Sequence, residues 1–367
     1  MKINFKYTLY FVFILNLFGC TKHFQKEDSD VYYIPLEKEI SEKSRNNLIQ
    51  EYWKVKTFDL EETDSTVLTN NLRLFNISES ELWFTDKSKI FRFNPKGHCE
   101  VIISRNGEGP EDYLGIMNAS MLPNSNITVL DFERGNILEY TQSGKWINRN
   151  KGSYGGMISI PRGLMTVAIP KGPSIPIQAF FINEKLEVVD SIPVAQGIDV
   201  SKGFINIPGL IKINDKAGII WNDTVKIINQ DHALQSFLIF ETGNLTLPQE
   251  IATDFALSDK RNEYISGIYP IIWDDLVFLQ FYYREKIYFD IWDIINSKLI
   301  FRNIVDGPEG TYGFPLKGSD GYIYNVWPQY VQNGKLVGII DYEFQNQSNI
   351  NQQETLNPKI FIISNKN

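Results

Sequence analysis

The sequence predicts an all-β protein, a six-bladed β-propeller made of four-stranded antiparallel blades. Three observations lead there. Short apolar or alternating runs follow one another between Gly, Asn, Asp and Pro, whereas a 3.6-residue period is hard to find beyond Ser41 to Gln50. Two successive groups of four such runs carry a matching tight turn between their third and fourth members. These turns, Asn94-Pro95-Lys96-Gly97 and Gln142-Ser143-Gly144-Lys145, fall about 47 residues apart. The chain beyond the first fifty residues then divides into six units of about 50 residues, a reasonable blade size.

The N-terminus comes first in chain order. Lys2 and Lys6 precede the apolar stretch Leu9 to Phe18, interrupted only by Asn16, which is the layout of a secretory signal. The stretch is too short to span a bilayer as a helix, which needs about 20 apolar residues. It ends at Leu17-Phe18-Gly19-Cys20, which resembles the lipobox of bacterial lipoproteins: an apolar residue, a variable one, a small one before the cut, and the Cys whose thiol takes up a diacylglyceryl group. Residues 1–19 are therefore expected to be a signal peptide and Cys20 the lipidated first residue of the mature chain. Thr21 to Asp30, with Lys26, Glu27, Asp28 and Asp30, has the composition of a solvated tether. The expected organisation is a lipidated Cys and polar tether over 20–50 and a propeller over 51–367.

The strands follow. Trp53 to Leu60 alternates and precedes the first full group, so it could complete the last blade; Ile360 to Ile363 could do so instead. Leu72 to Ile77, Glu81 to Thr85, Lys89 to Phe93 and Glu100 to Ser104 make the first meander. Met117 to Leu122, Ile127 to Asp131, Ile137 to Thr141 and Trp146 to Arg149 make the second. Residues 158–194, 204–242, 264–305 and 314–364 fit the scheme less tidily. Arranging the sheets around an axis lets each pack face to face on its neighbours. Trp273-Asp274 and Trp292-Asp293 lack the Gly-His partner of Trp-Asp repeats and are expected to be core or rim aromatics.

Composition narrows the function. The formal charge is −8, and losing Lys2 and Lys6 with the signal takes it to −10. That balance argues against nucleic acid, whose phosphates call for Lys/Arg clusters. With Cys20 lipidated, Cys99 is the one remaining thiol, so the core alone must hold the fold; Cys99 itself is expected to be a small strand residue. The three histidines show no His-x-x-x-His spacing, no Asp-x-Asp-x-Asp loop specifies calcium, and no nucleophile elbow, phosphate loop or dinucleotide fingerprint occurs. No metal and no cofactor are expected.

From Leu72 to Trp146 the chain resembles the six-bladed β-propeller lipoproteins of Bacteroidetes, propellers of the TolB-like or NHL-like kind. The likeness rests on Gly107-Glu108-Gly109-Pro110-Glu111-Asp112-Tyr113, then Thr128-Val129-Leu130-Asp131, then Gly144-Lys145. Asn222-Asp223-Thr224-Val225, Leu247-Pro248 and Asn357-Pro358-Lys359-Ile360 extend it over most of the mature chain. The resemblance implies a propeller in the cell envelope, an outer-membrane lipoprotein facing either periplasm or exterior. It implies no agreed activity.

Gly107 and Gly109 permit positive φ and Pro110 fixes its own, so the Gly-Pro loop is expected to be a rigid crossing between blades. A partial echo stands at Gly307-Pro308-Glu309-Gly310-Thr311-Tyr312-Gly313. Both loops could merely shape crossings, with Tyr packed inward. Alternatively Arg105, Glu111, Tyr113, Glu309 and Tyr312 gather at the propeller mouth and hold a polar ligand. Two functions stay open: a non-catalytic, monomeric scaffold that binds a protein or glycan, for which Trp327, Tyr330, Tyr322 and Tyr324 offer aromatic surface, and a carbohydrate-active hydrolase or lyase with carboxylates and tyrosines in the channel. The absence of a catalytic motif favours the scaffold.

Overall fold

A computed structural model describes residues 31–41, 43–46, 53–64, 66–68, 72–131, 133–198, 201, 207–213, 216–229, 232–306, 312–340 and 357–366. The chain enters through a strap: strand β1 (Tyr32–Ile34), a single helical turn α1 (Leu36–Glu39), strand β2 (Arg45–Asn46) and strand β3 (Trp53–Asp59). Blade 1 follows as β4 (Arg73–Ile77), β5 (Leu82–Thr85), β6 (Ile90–Phe93) and β7 (Cys99–Ile103). Blade 2 is β8 (Ile116–Met121), β9 (Ile127–Asp131), β10 (Asn136–Tyr140) and β11 (Trp146–Lys151). Blade 3 is β12 (Tyr154–Ile160), β13 (Gly163–Ala168), β14 (Ile177–Ile182) and β15 (Val188–Ala195). Blade 4 is β16 (Gly209–Ile213), β17 (Lys216–Trp221), β18 (Thr224–Ile228) and β19 (Leu234–Phe240). After α2 (Gln249–Thr253), blade 5 is β20 (Ser266–Trp273), β21 (Leu276–Tyr283), β22 (Lys286–Asp293) and β23 (Lys298–Asp306). A hairpin, β24 (Phe314–Lys317) and β25 (Ile323–Val326), precedes blade 6, which takes β26 (Pro328–Gln332), β27 (Lys335–Ile340) and β28 (Lys359–Asn365) from the C-terminus and β3 from the N-terminus.

The six-bladed propeller is thus observed. The first strand of each blade lies beside the first strands of the blades before and after it, and β26 lies beside β4, so the inner strands form a closed ring. Both candidate closing segments take part. Phe58 pairs with Ile360 and Val55 with Ile363, so β3 is the outermost strand of blade 6 and β28 its neighbour. Pairing the two ends of the chain in one sheet makes opening the ring cost a full ladder of hydrogen bonds.

The apolar core is divided into six clusters, one at each interface between neighbouring blades. A blade covered on both faces has no solvent side, which is why β5, β9 and β10 are buried at every residue instead of alternating. Trp273 and Trp292 lie in these interfaces, 1% and 0% exposed, as core aromatics. Cys99 begins β7, half-buried, with its thiol directed at the Val101 carbonyl. At the seam between blades 6 and 1, Tyr330 Oη donates to the Phe75 carbonyl at 2.7 Å and Gln332 Nε2 to Asn76 Oδ1 at 3.0 Å.

The stretch before blade 1 differs from the sequence expectation. The helical period over 41–50 does not produce a helix in its described part: Arg45 and Asn46 pair with Arg302 and Phe301 on the outer edge of blade 5. Tyr32 to Ile34 pair, in parallel, with Leu238 to Phe240 of blade 4. An unpaired edge strand is a stronger attractor for these few residues than a short isolated helix, whose nucleation is unfavourable. The strap is locked by Arg302, which is fully buried: its Nη1 donates to the Glu39 carbonyl, its Nε donates to Asp290 Oδ1 at 2.8 Å, and its Nη2 pairs with Asp290 Oδ2. Burial pushes the Asp290 carboxyl up, against the pull of Arg302 and of the Trp292 indole N–H. Residues 1–30, and with them the signal segment, Cys20 and most of the tether, lie outside the described residues. Among the described residues no helix is long and apolar enough to cross a membrane.

Candidate functional site

The Gly-Pro loop connects the outer strand of blade 1 to the inner strand of blade 2, and every strong contact it makes is internal. Tyr113 is 0% exposed; its hydroxyl donates to the Ser88 carbonyl at 2.9 Å and accepts from the Arg105 N–H at 3.2 Å. Burial pushes its phenol up to about 12. Arg134, from the turn between β9 and β10, donates to the carbonyls of Gly107, Gly109 and Asp112 at 3.2, 3.2 and 2.8 Å. Tyr140 Oη donates to the Glu111 carbonyl at 2.7 Å, and Arg105 Nε to the Gly144 carbonyl at 3.1 Å.

The glycines serve a different need from the one their sequence suggests. Neither Gly107 nor Gly109 has a positive φ. A Cβ at these positions would stand 2.8 and 2.5 Å from Asp112 Oδ2, so space for that carboxylate is what excludes a side chain.

Of the five candidate ligand residues, the structure therefore places Tyr113 in the interface between blades 1 and 2 and commits the Arg105 guanidinium to a backbone carbonyl. Glu111 is exposed, and Tyr312 is 38% exposed with its ring edge-on to Phe289 at 5.7 Å. Glu309 lies outside the described residues. None of the other four lines the central cavity: Arg105, Glu111 and Tyr113 belong to the crossing from blade 1 to blade 2, and Tyr312 stands between β23 and β24.

The cavity itself is the feature the sequence did not disclose. About 520 Å³ of space lies on the axis, walled by the inner strands of all six blades. That is the size of a small-ligand site. Its polar lining comprises Arg73, Asn118, Ser159, Lys212, Tyr269, Gln280 and Gln329, with Thr85, Ser120 and Tyr330, and Trp327 adds a large ring. Among the described residues that line it there is no Asp, Glu, His or Cys. Five of the inner strands carry a register shift: at Leu74/Asn76, Ile116/Asn118, Tyr154/Gly156, Ser266/Tyr269 and Pro328/Tyr330. A bulge re-aims the side chains beside it. In blade 5 the bulge precedes Tyr269, which is 60% exposed, lines the cavity and pairs opposite Gln280. Arg73 Nη1 donates to the carbonyl of Met117, the extra residue of the bulge in β8, at 3.2 Å. Among the described residues no three His, Cys, Asp or Glu side chains group as metal ligands.

Six four- or five-stranded sheets around a lined axial cavity define the class: this is a six-bladed β-propeller. Within it, the chain belongs to the family described as "Domain of unknown function (DUF4934)", whose model matches residues 31–367. No curated protein matches the chain. The chain is similar to a solved structure from Bacteroides fragilis NCTC 9343 described as a "Putative exported protein", with a TM-score of 0.64, 12% identity, and coverage of 92% of this chain and 100% of that one. It is also similar to a member of the duf4221 family from Bacteroides vulgatus ATCC 8482, with a TM-score of 0.50, 11% identity and coverage of 85% and 97%. A virginiamycin B lyase from Staphylococcus aureus superimposes more loosely, with a TM-score of 0.43, 10% identity and coverage of 85% and 99%. At these identities the likeness shows the fold alone.

Proposed function

We propose that this protein is a lipid-anchored envelope propeller that binds a glycan in its axial cavity without transforming it. The observation that carries the reading is the cavity's lining: amides, hydroxyls and rings on the inner strands of a rigid ring, with no carboxylate among the described residues. Glycoside hydrolysis ordinarily needs two carboxylates flanking the bond. Hydroxyl-rich ligands are instead held by the groups present here, side-chain amides and hydroxyls that both donate and accept. The signal-like N-terminus and the lipobox-like Cys20 support the anchor, and two or more acyl chains would hold it stably. A Cys20→Ala variant is expected to leave the detergent phase for the aqueous one while the wild type stays; equal partitioning of both refutes the anchor.

The binding reading is tested by titrating a panel of envelope and host glycans into wild type, Ser159→Trp, which fills the cavity, and Glu111→Ala, which alters the Gly-Pro loop. Binding lost in Ser159→Trp, kept in Glu111→Ala and unaccompanied by new reducing ends is the expected result. Loss confined to Glu111→Ala would move the site to the loop, and release of reducing ends would make the protein a hydrolase.

A further inference from the structure

The wall of the cavity changes character around the ring. Blades 3 and 4, which are neighbours, contribute Ile158 of β12 and Leu210 and Ile211 of β16, all half-buried aliphatic side chains. Polar groups enter the wall on these two blades one residue further along each strand, at Ser159 and Lys212. Two consecutive glycines make the aliphatic surface continuous. A Cβ on Gly155 would stand 2.5 Å from Ile207 Cδ1 and one on Gly156 3.6 Å from Leu210 Cδ1, so side chains from blade 4 and its approach lie across the bare backbone of blade 3. Blades 5 and 6 present a different wall. Tyr269 is 60% exposed with Gln280 opposite it on β21, and on the adjoining blade 6 stand Trp327 and the exposed Gln329.

We infer that the ligand of this cavity is an amphiphilic sugar, a saccharide carrying an aliphatic chain, with the sugar against blades 5 and 6 and the chain against blades 3 and 4. The inference rests on the glycan-binding reading of the same cavity and narrows it. Tyr269 and Trp327 offer rings to the apolar side of a pyranose. The Gln329 amide can both donate to and accept from its hydroxyls, and Gln280 keeps its side-chain carbonyl as an acceptor beyond the bond from Nε2 to Tyr282 Oη at 3.3 Å. A bare oligosaccharide would set hydroxyls against Ile158, Leu210 and Ile211 and gain no apolar burial there. A bare hydrocarbon would take the Gln280 and Gln329 amides out of water with nothing to bond. A ligand with both parts satisfies both walls.

The test is calorimetric titration of the protein with the hexyl and methyl β-glycosides of glucose, galactose and N-acetylglucosamine, each below its micelle-forming concentration, and with 1-hexanol. Leu210→Asn, Tyr269→Ala and the cavity-filling Ser159→Trp are run beside wild type, with melting curves to confirm that they fold. At least one hexyl glycoside is expected to bind about tenfold or more tightly than its methyl counterpart, because the longer chain leaves water. Leu210→Asn is expected to erase most of that difference and leave the methyl glycoside unchanged, Tyr269→Ala to weaken both, and Ser159→Trp to abolish both. A methyl glycoside that binds wild type as tightly as the hexyl one would overturn the amphiphile while leaving the cavity a glycan site, and that comparison needs no variant. Hexyl glycosides whose binding survives Ser159→Trp would sit outside the cavity and overturn the inference too. Equal binding of 1-hexanol and the best hexyl glycoside would overturn the sugar in both readings. No binding by any glycoside, with glycans of the earlier panel still bound, would overturn this inference alone; no binding by either set would overturn both.

Discussion

Three polar side chains carry specific loads at the scale of single residues. Tyr113 is the first. An ordinary tyrosine ionises near 10, and burial holds Tyr113 up to about 12 in the folded protein. Below pH 10 both folded and unfolded chains keep the proton. Between pH 10 and 12 the unfolded chain loses it first, so stability falls as pH rises, by about 2–3 kcal/mol from this one group. Tyr140 and Tyr330 are pushed up by burial as well and share the slope. Tyr113→Phe is expected to be less stable at neutral pH by about 1–2 kcal/mol, for its lost hydroxyl bonds, and to lose less than wild type from pH 10 to 12. Urea titrations at several pH values read both effects; an unchanged slope would place the phenol in water. Arg302 is the second. Arg302→Met leaves Asp290 buried without its partner and is expected to cost about 3–5 kcal/mol, whereas Asp290→Leu/Arg302→Met is expected to cost less. A double variant worse than the single would mean the pair itself, and not the orphaned charge, stabilises the fold. The third is Arg134, which serves three carbonyls at once; Arg134→Lys, a point charge, is not expected to replace it.

At the scale of elements, one turn recurs. Asn94, Thr141, Asn183 and Asn229 each begin a five-residue turn between the third and fourth strands of blades 1 to 4, with the same pair of backbone hydrogen bonds. The fourth residue is left-handed in each: Gly97, Gly144, Leu186 and His232, with φ of 88°, 81°, 60° and 58°. The glycines made the first two turns legible in the sequence. The other two were hidden because Leu186 and His232 occupy a position that favours glycine, held there by tertiary contacts: Leu186 is buried against blade 2, and His232 stacks on Phe181 at 4.0 Å and bonds to Asp190. Blades 3 and 4 read untidily for that reason. The inner-strand bulges were illegible for a related reason, since one extra residue shifts the alternation that marks a strand's faces. Gly97 has a further role, because a Cβ there would run into the Asp59 carbonyl of β3. Gly97→Ala is expected to destabilise by more than about 2 kcal/mol, through strained φ and through displacement of the closing strand, whereas Gly334→Ala, with open space around it, is expected to cost only its φ, about 1 kcal/mol. Chemical denaturation compares the two directly, and equal losses would mean that β3 yields without cost.

Over the whole molecule, closure and cavity follow from the same arrangement. Blade number and sheet type were legible because the first two meanders are regular and length supplied the rest. The strap was not, since pairing of Tyr32–Ile34 and Arg45–Asn46 depends on the edges of blades 4 and 5, far away in sequence. The cavity was not legible either: Arg73, Asn118, Ser159, Lys212, Tyr269 and Trp327 are scattered over some 250 residues and share nothing local. The Gly-Pro loop, the most conspicuous motif, drew attention to itself because tight backbone demands produce memorable sequences, and it proves to be a clamp between blades 1 and 2. The most direct measurement of the central claim is a crystal structure of the protein with the tightest-binding glycan of the panel. Ligand density on the axis, enclosed by the six inner strands, is the predicted result; density against residues 105–113 or on the outer edges of the blades, with the axis occupied only by water, would contradict it.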